Sequence, residues 1–165
     1  LDQLNRARLD ALAETRELDP EQSLPAILRA LIEPALILSR QPGLGGNRFV
    51  RVLARAYAED DRHLHAFLHA HYSHVMRSFA DAVREVLPEL DDVDLRNHLD
   101  FIIGALTYSM ADFAGHFTST EPAGGQQTAR RLVDFAVAGL ESAARGQRRH
   151  GTAAINPKLE RYSQP

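Results

Sequence analysis

Apolar residues recur along this chain three and four positions apart, and no useful length alternates with period two, so the pattern predicts an all-α fold. It resolves into an antiparallel helical bundle of about six helices. The first helix runs from Leu1 to about Glu17, with Leu1, Leu4, Ala7, Leu9 and Leu12 as its apolar positions, Asn5 falling among them at the same spacing, and polar residues in the gaps. Leu18-Asp19-Pro20-Glu21 reads as a loop. Ser23 then caps a second helix with Pro25 in its first turn. That helix reaches about Arg40, and its stripe includes Leu28, Leu31, Ile32, Ala35 and Leu38. Pro34 lies inside it. A proline there removes one backbone bond and clashes with the preceding turn, which predicts a kink or break.

The run Gln41-Pro42-Gly43-Leu44-Gly45-Gly46-Asn47 is the clearest loop. Its glycines lack the spacing of a dinucleotide or phosphate loop, no strand precedes them and no Lys-Ser/Thr follows, so it reads as a helix connection. Asn47 caps a short helix with Phe49, Val52, Leu53, Ala56 and Tyr57 facing inward. After Glu59-Asp60-Asp61 a long helix runs from about His63 to Leu87, ended by Pro88. Its inner face holds Leu64, Leu68, His71, Tyr72, Val75, Phe79, Ala82 and Val86.

Asp91 or Asp92 starts the helix that organises the chain. At about 100° per residue, Leu95, Leu99, Ile102, Ile103, Leu106, Met110, Phe113 and Phe117 share a broad face that belongs in the core. The opposite face carries Phe101, Gly104, Tyr108, Ala111, Asp112 and Gly115. A solvated face would be rich in Lys and Glu, whereas small residues let another helix approach and aromatics supply contact area. After a connection over 118–125, the last helix spans about Gln126 to Arg145. It turns Leu132, Val133, Ala136, Val137, Leu140 and Ala144 inward, leaving Phe135, Ala138, Gly139 and Ser142 elsewhere on the wheel. These two outer faces predict a homodimer, in which the last two helices of each copy form a four-helix bundle. The domain is expected to cover 1–145, with 146–165 as a flexible tail.

A chain of 165 residues, 44% hydrophobic and 25% charged, suffices for one domain with a sizeable core. Its net charge of −3 argues against a nucleic-acid surface, which should be basic. With no cysteine there is no disulfide frame, thiolate nucleophile or Cys-ligated zinc. No uninterrupted apolar run reaches the roughly 18 residues of a membrane span and no signal peptide is visible, so a cytoplasmic protein with no membrane partner is expected. Leu1 sits uncapped inside a helical pattern, which predicts that the sequence continues a longer chain.

Candidate chemistry is sparse. Five histidines fall between positions 63 and 74: His63, His65, His69, His71 and His74. His65 and His69 share a helical edge that can bind a metal. However, zinc needs three or four ligands, no Glu-x-x-His occurs, and the rings spread around the helix. No metal, cofactor or catalytic residue is therefore expected. A helical enzyme using His63–His74 is the alternative reading, and a ligand-free helical adaptor is another. His71 lies within the apolar stripe. It is either a core histidine satisfied by a backbone carbonyl or a tyrosine, or the polar anchor of a ligand pocket. Tyr108 and Asp112, one turn apart without a nucleophile or metal pattern, read as interface hydrogen bonding. The basic run Arg145 to His150 suits a helix C-terminus.

The order of elements resembles the C-terminal regulatory domain of TetR/AcrR-family transcriptional repressors, close to the subgroup with fatty-acid-responsive members. The resemblance is carried by Leu4-Asn5-Arg6-Ala7-Arg8-Leu9, Ile27 through Leu36, Arg48 through Arg55, Phe79-Ala80-Asp81-Ala82-Val83 with Leu87-Pro88-Glu89-Leu90, Phe101 through Leu106, and Arg131 through Ala136 with Gly139-Leu140. It covers most of 1–145. The resemblance implies a bacterial regulator that dimerises through its last two long helices and holds an inducer. Operator DNA would be bound only through an N-terminal helix-turn-helix placed before Leu1. Candidate pocket walls are Leu28, Leu31, Ile32, Phe49, Leu53, Tyr57, Val75, Leu99 and Ile103. With His71 as the polar contact, they suit a mainly apolar or amphipathic inducer with a polar or acidic end.

Overall fold

A computed structural model describes residues 2–40, 62–111 and 122–153. Five α-helices are present among them: α1 (Asp2–Glu14), α2 (Pro20–Arg40), α3 (Arg62–Val86), α4 (Asp92–Ala111) and α5 (Pro122–Ala153). No strand occurs among the described residues, so the fold is all-α. The short helix expected after Asn47 lies outside them, as do Phe49, Leu53, Tyr57, Asp112 and Gly115.

α2 is the axis of the bundle and packs against all four of the other helices. It is buried around most of its circumference, with Leu28, Leu31 and Ile32 fully enclosed, the pattern of a helix surrounded by others. Its window Gln22–Ser39 is apolar enough, by length and composition, to cross a membrane. The window includes Arg29 and Glu33, so it is not an uninterrupted apolar run. In this fold, Leu24, Ile27, Leu28, Leu31, Ile32, Ala35 and Leu36 spend that hydrophobicity on the core.

The helix also begins earlier than its pattern suggests. Pro20 stands in the first turn, where a missing N–H costs nothing. Ser23 lies inside the helix, its hydroxyl donating back to the Asp19 carbonyl at 2.9 Å. Pro34 does not break the helix, which continues to Arg40.

α1 ends at Glu14 and tightens into a 3-10 turn over Thr15–Glu17. The Thr15 hydroxyl there donates to the Leu12 carbonyl at 2.8 Å, satisfying a group that the last helical turn leaves open. The buried face of α1 is Leu4, Asn5, Arg8 and Leu12. Ala7 is exposed and Leu9 half-buried, so the apolar positions alone do not define that face.

Pro88 stops α3 as expected. Asp91 caps α4, its Oδ1 accepting from the backbone N–H groups of Val93 (2.9 Å) and Asp94 (2.8 Å). Arg84 ties this corner together. It donates to Asp81 at 2.6 Å and to Asp92 at 2.7 Å.

α5 continues past its expected end at Arg145 to Ala153. Gln147 explains the extension. Its Oε1 accepts from the Asp91 N–H at 2.8 Å, and its Nε2 donates to Asp91 Oδ2 at 2.5 Å and Asp94 Oδ2 at 2.8 Å. Arg148 pairs with Glu89 at 3.1 Å. α4 and α5 therefore run antiparallel, with Asp91 opposite Gln147 and His98 opposite Gly139.

Candidate functional site

The core beneath α1 is polar where it meets α2 and α3. Leu4, Arg8 and Leu12 recur every four residues, so Arg8 falls on the same stripe as two buried leucines. Its side chain reaches α2, where Nε donates to the Leu31 carbonyl at 2.9 Å in the buried interior. That carbonyl stands one residue after Ala30, whose own carbonyl is the one that Pro34 deprives of a backbone donor. Three residues before Arg8, Asn5 turns to α3 and donates from Nδ2 to the His71 carbonyl at 2.9 Å. Its Oδ1 is buried with no hydrogen-bond partner among the described residues. The orientation of the amide is fixed, since turning it over would set oxygen against the His71 oxygen.

Arg8 is only 3% exposed. Burial pushes its guanidinium below the ordinary arginine value, chiefly through desolvation, with the neighbouring Tyr72 phenol opposing. Among the described residues no carboxylate pairs with it. Sequence patterning gave Asn5 a place near the stripe but no role, and missed Arg8 because a charged residue within a stripe reads as one of its gaps. The available signal was the register of Leu4, Arg8 and Leu12.

The candidate pocket walls distribute as follows. Leu28, Leu31, Ile32, Val75 and Leu99 are buried in one apolar cluster, and Ile103 packs partly buried against it. His71 is half-buried. Its Nδ1 donates to the Phe67 carbonyl at 2.9 Å one turn back, and its ring lies 4.1 Å from that of Phe67. Among the described residues, no three His, Asp or Glu side chains gather as a metal site. The side chains of His63, His65 and His69 lie outside that set.

The outer face is built by α4 and α5. Phe101 is 67% exposed, Tyr108 49% and Phe135 61%. Ala138 and Ser142 are exposed beside Phe135, and a Cβ on Gly104 would meet nothing within 4 Å. The antiparallel register that sets His98 against Gly139 brings Phe101 level with Phe135. Two positions depart from the expected outer face. Ala111 is buried at 1% exposure, inside its own chain. Gly139 is half-buried, and a Cβ there would stand 3.7 Å from His98 Cδ2. The position therefore faces α4 of its own chain, at ordinary van der Waals separation.

An all-α bundle with a polar junction inside and an aromatic face outside is now in view, and the sequence pattern that defines the tetracyclin repressor-like C-terminal domain matches residues 29–139. The chain belongs to this family. Tetracyclin repressor-like C-terminal domains are, in general, the ligand-binding and dimerisation parts of transcription regulators. The match runs from within α2 to within α5, so most of the apolar cluster and of the outer face lies inside it, with Leu28 and Ser142 just beyond its ends. Asn5 and Arg8 stand before its first residue. No curated protein and no solved structure matches the chain.

Proposed function

We propose that this chain is the inducer-sensing and dimerisation domain of a TetR-like transcriptional repressor. The observation that carries the reading is the outer face, where Phe101 and Phe135 stand exposed at one level of an antiparallel helix pair, flanked by small residues. A single chain in water gains nothing from such a face, whereas a second copy related by a two-fold axis covers it with its own. The inducer is a mainly apolar small molecule held between α2, α3 and the core face of α4, where the walls are carbon-rich. DNA is read by a helix-turn-helix to which α1 connects, not by the helices described here. The net charge of −3 supports that division.

The coupling follows from how α1 is held. Arg8 fastens it to α2 and Asn5 fastens it to α3. A molecule that enters between those helices and prefers one spacing of them biases the position of α1, and with it the spacing of the DNA-reading heads.

Sedimentation of the chain at micromolar concentration tests the outer face. The unmutated chain should sediment as a dimer, and Phe135→Asp or Gly104→Glu as a monomer. An unmutated chain that is already monomeric would sink the reading.

A further inference from the structure

We infer that Arg8 is the binding site for the anionic end of the inducer, a carboxylate on an otherwise apolar molecule. The inference rests on the ligand-binding reading above and names the chemistry at its polar end.

Two unmet demands on one helix face support it. A guanidinium carries five N–H donors and a permanent charge. Arg8 uses Nε on the Leu31 carbonyl, a neutral acceptor, and no carboxylate among the described residues balances its charge. A buried charge of this kind is retained at a cost unless something pairs with it. Asn5, three residues earlier and 5% exposed, independently leaves Oδ1 buried without a donor. Residues three apart on a helix are neighbours, yet these two groups do not satisfy each other. A water molecule could serve Asn5 but would not neutralise Arg8. A carboxylate does neutralise it, because the guanidinium fork matches the two oxygens, and the water accompanying that carboxylate can donate to Asn5 Oδ1.

The surroundings set the rest of the ligand. Leu28, Leu31, Ile32 and Val75, from the two helices that Arg8 and Asn5 bond, are fully buried. A phosphate or sugar would bring more polar groups than this region can pair, whereas an alkyl carboxylate brings one. His71 is a weaker candidate for the same contact, because its Nδ1 is engaged with the Phe67 carbonyl.

The experiment is calorimetry on the whole chain with two probes of equal body, decanoate and 1-decanol. The proteins compared are wild type, Arg8→Met and Arg8→Lys. Wild type should bind decanoate more tightly than decanol. Arg8→Met should weaken decanoate by about tenfold or more, the scale of a charge-assisted bond, and leave decanol within about twofold. Arg8→Lys keeps the charge without the fork and should fall between wild type and Arg8→Met, which also serves should the methionine variant not fold. Decanoate bound equally by wild type and Arg8→Met, or no more tightly than decanol by wild type, would overturn the assignment while leaving ligand binding intact. Binding of neither probe would instead remove the ligand-binding reading, and this inference with it.

Discussion

The ring of His98 on α4 lies over Gly139 of α5, where an added Cβ would stand 3.7 Å from Cδ2. That is ordinary van der Waals separation. An alanine therefore fits without moving α4, and it removes the backbone freedom that a helical glycine must surrender on folding. Gly139→Ala should stabilise the chain by about 0.5–1 kcal/mol, seen as a higher denaturant midpoint. Gly139→Leu should lower it, because a longer side chain has to displace the imidazole. If the alanine variant is the less stable of wild type and Gly139→Ala, the two helices are closer than this geometry states.

The helices were legible in the sequence where burial and periodicity agree. The stop at Pro88, the start at Asp92 and the outward Phe101 and Phe135 all follow from residue spacing. Two features were not legible because tertiary contacts decide them. Beyond Arg145 the apolar rhythm ends, yet α5 continues, since Gln147 and Arg148 bond polar groups at the α3–α4 corner instead of burying carbon. Arg8 is buried on a stripe that hydrophobic counting assigns to Leu4, Ala7, Leu9 and Leu12. A charged residue is discounted by any rule that scores only carbon, and its acceptor is a carbonyl of a helix that begins several residues later.

Acid should loosen the α3–α4 corner. The hydrogen bonds Asp91 accepts, first from the Asp94 N–H and then from Val93 and Gln147, hold its carboxyl below the ordinary value, against a smaller opposing effect of desolvation. A carboxylate whose folded pKa is depressed contributes stability above its unfolded pKa and loses it as pH falls through the folded value. The contribution of Asp91 should therefore be full at neutral pH and fade below about pH 4, the unfolded aspartate range. Comparing the thermal midpoints of wild type and Asp91→Ala across pH checks this. The gap between them should narrow on acidification, and a constant gap would exclude the cap as its source.

Removing Gln147 should release the end of α5 without unfolding the domain. Gln147→Ala deletes three hydrogen bonds to Asp91 and Asp94. Amide exchange should quicken at residues 146–153 and at the Asp91 N–H, while Val133 and Leu140, buried further back on the same helix, keep their protection. Uniform loss of protection along α5 would mean that the clasp supports the whole bundle.

Arg8→Met should not weaken the ligand-free chain. Among the described residues the wild-type guanidinium has one neutral hydrogen-bond acceptor, and an apolar side chain of similar length removes the desolvation cost of the buried charge along with that bond. By contrast, Leu28→Ala, at a fully buried position on α2, should cost about 2–5 kcal/mol through the cavity it leaves. Thermal unfolding of the two variants without ligand separates these outcomes. A large loss in Arg8→Met would show that the bond to Leu31 outweighs the desolvation.

Both anchors of α1 end on main-chain oxygens, those of Leu31 and His71. Every amino acid offers the same oxygen, so neither partner position has to keep its side chain for the bond to survive. The requirement falls on one side of the junction alone. α2 and α3 can exchange residues at positions 31 and 71, reshaping what the interior accepts, while the attachment of α1 stays in place. A change at position 5 or 8 has no such shelter. On the proposed function, positions 31 and 71 can then vary with the apolar body of the ligand, while α1 keeps both its attachment and the group that meets the anionic end.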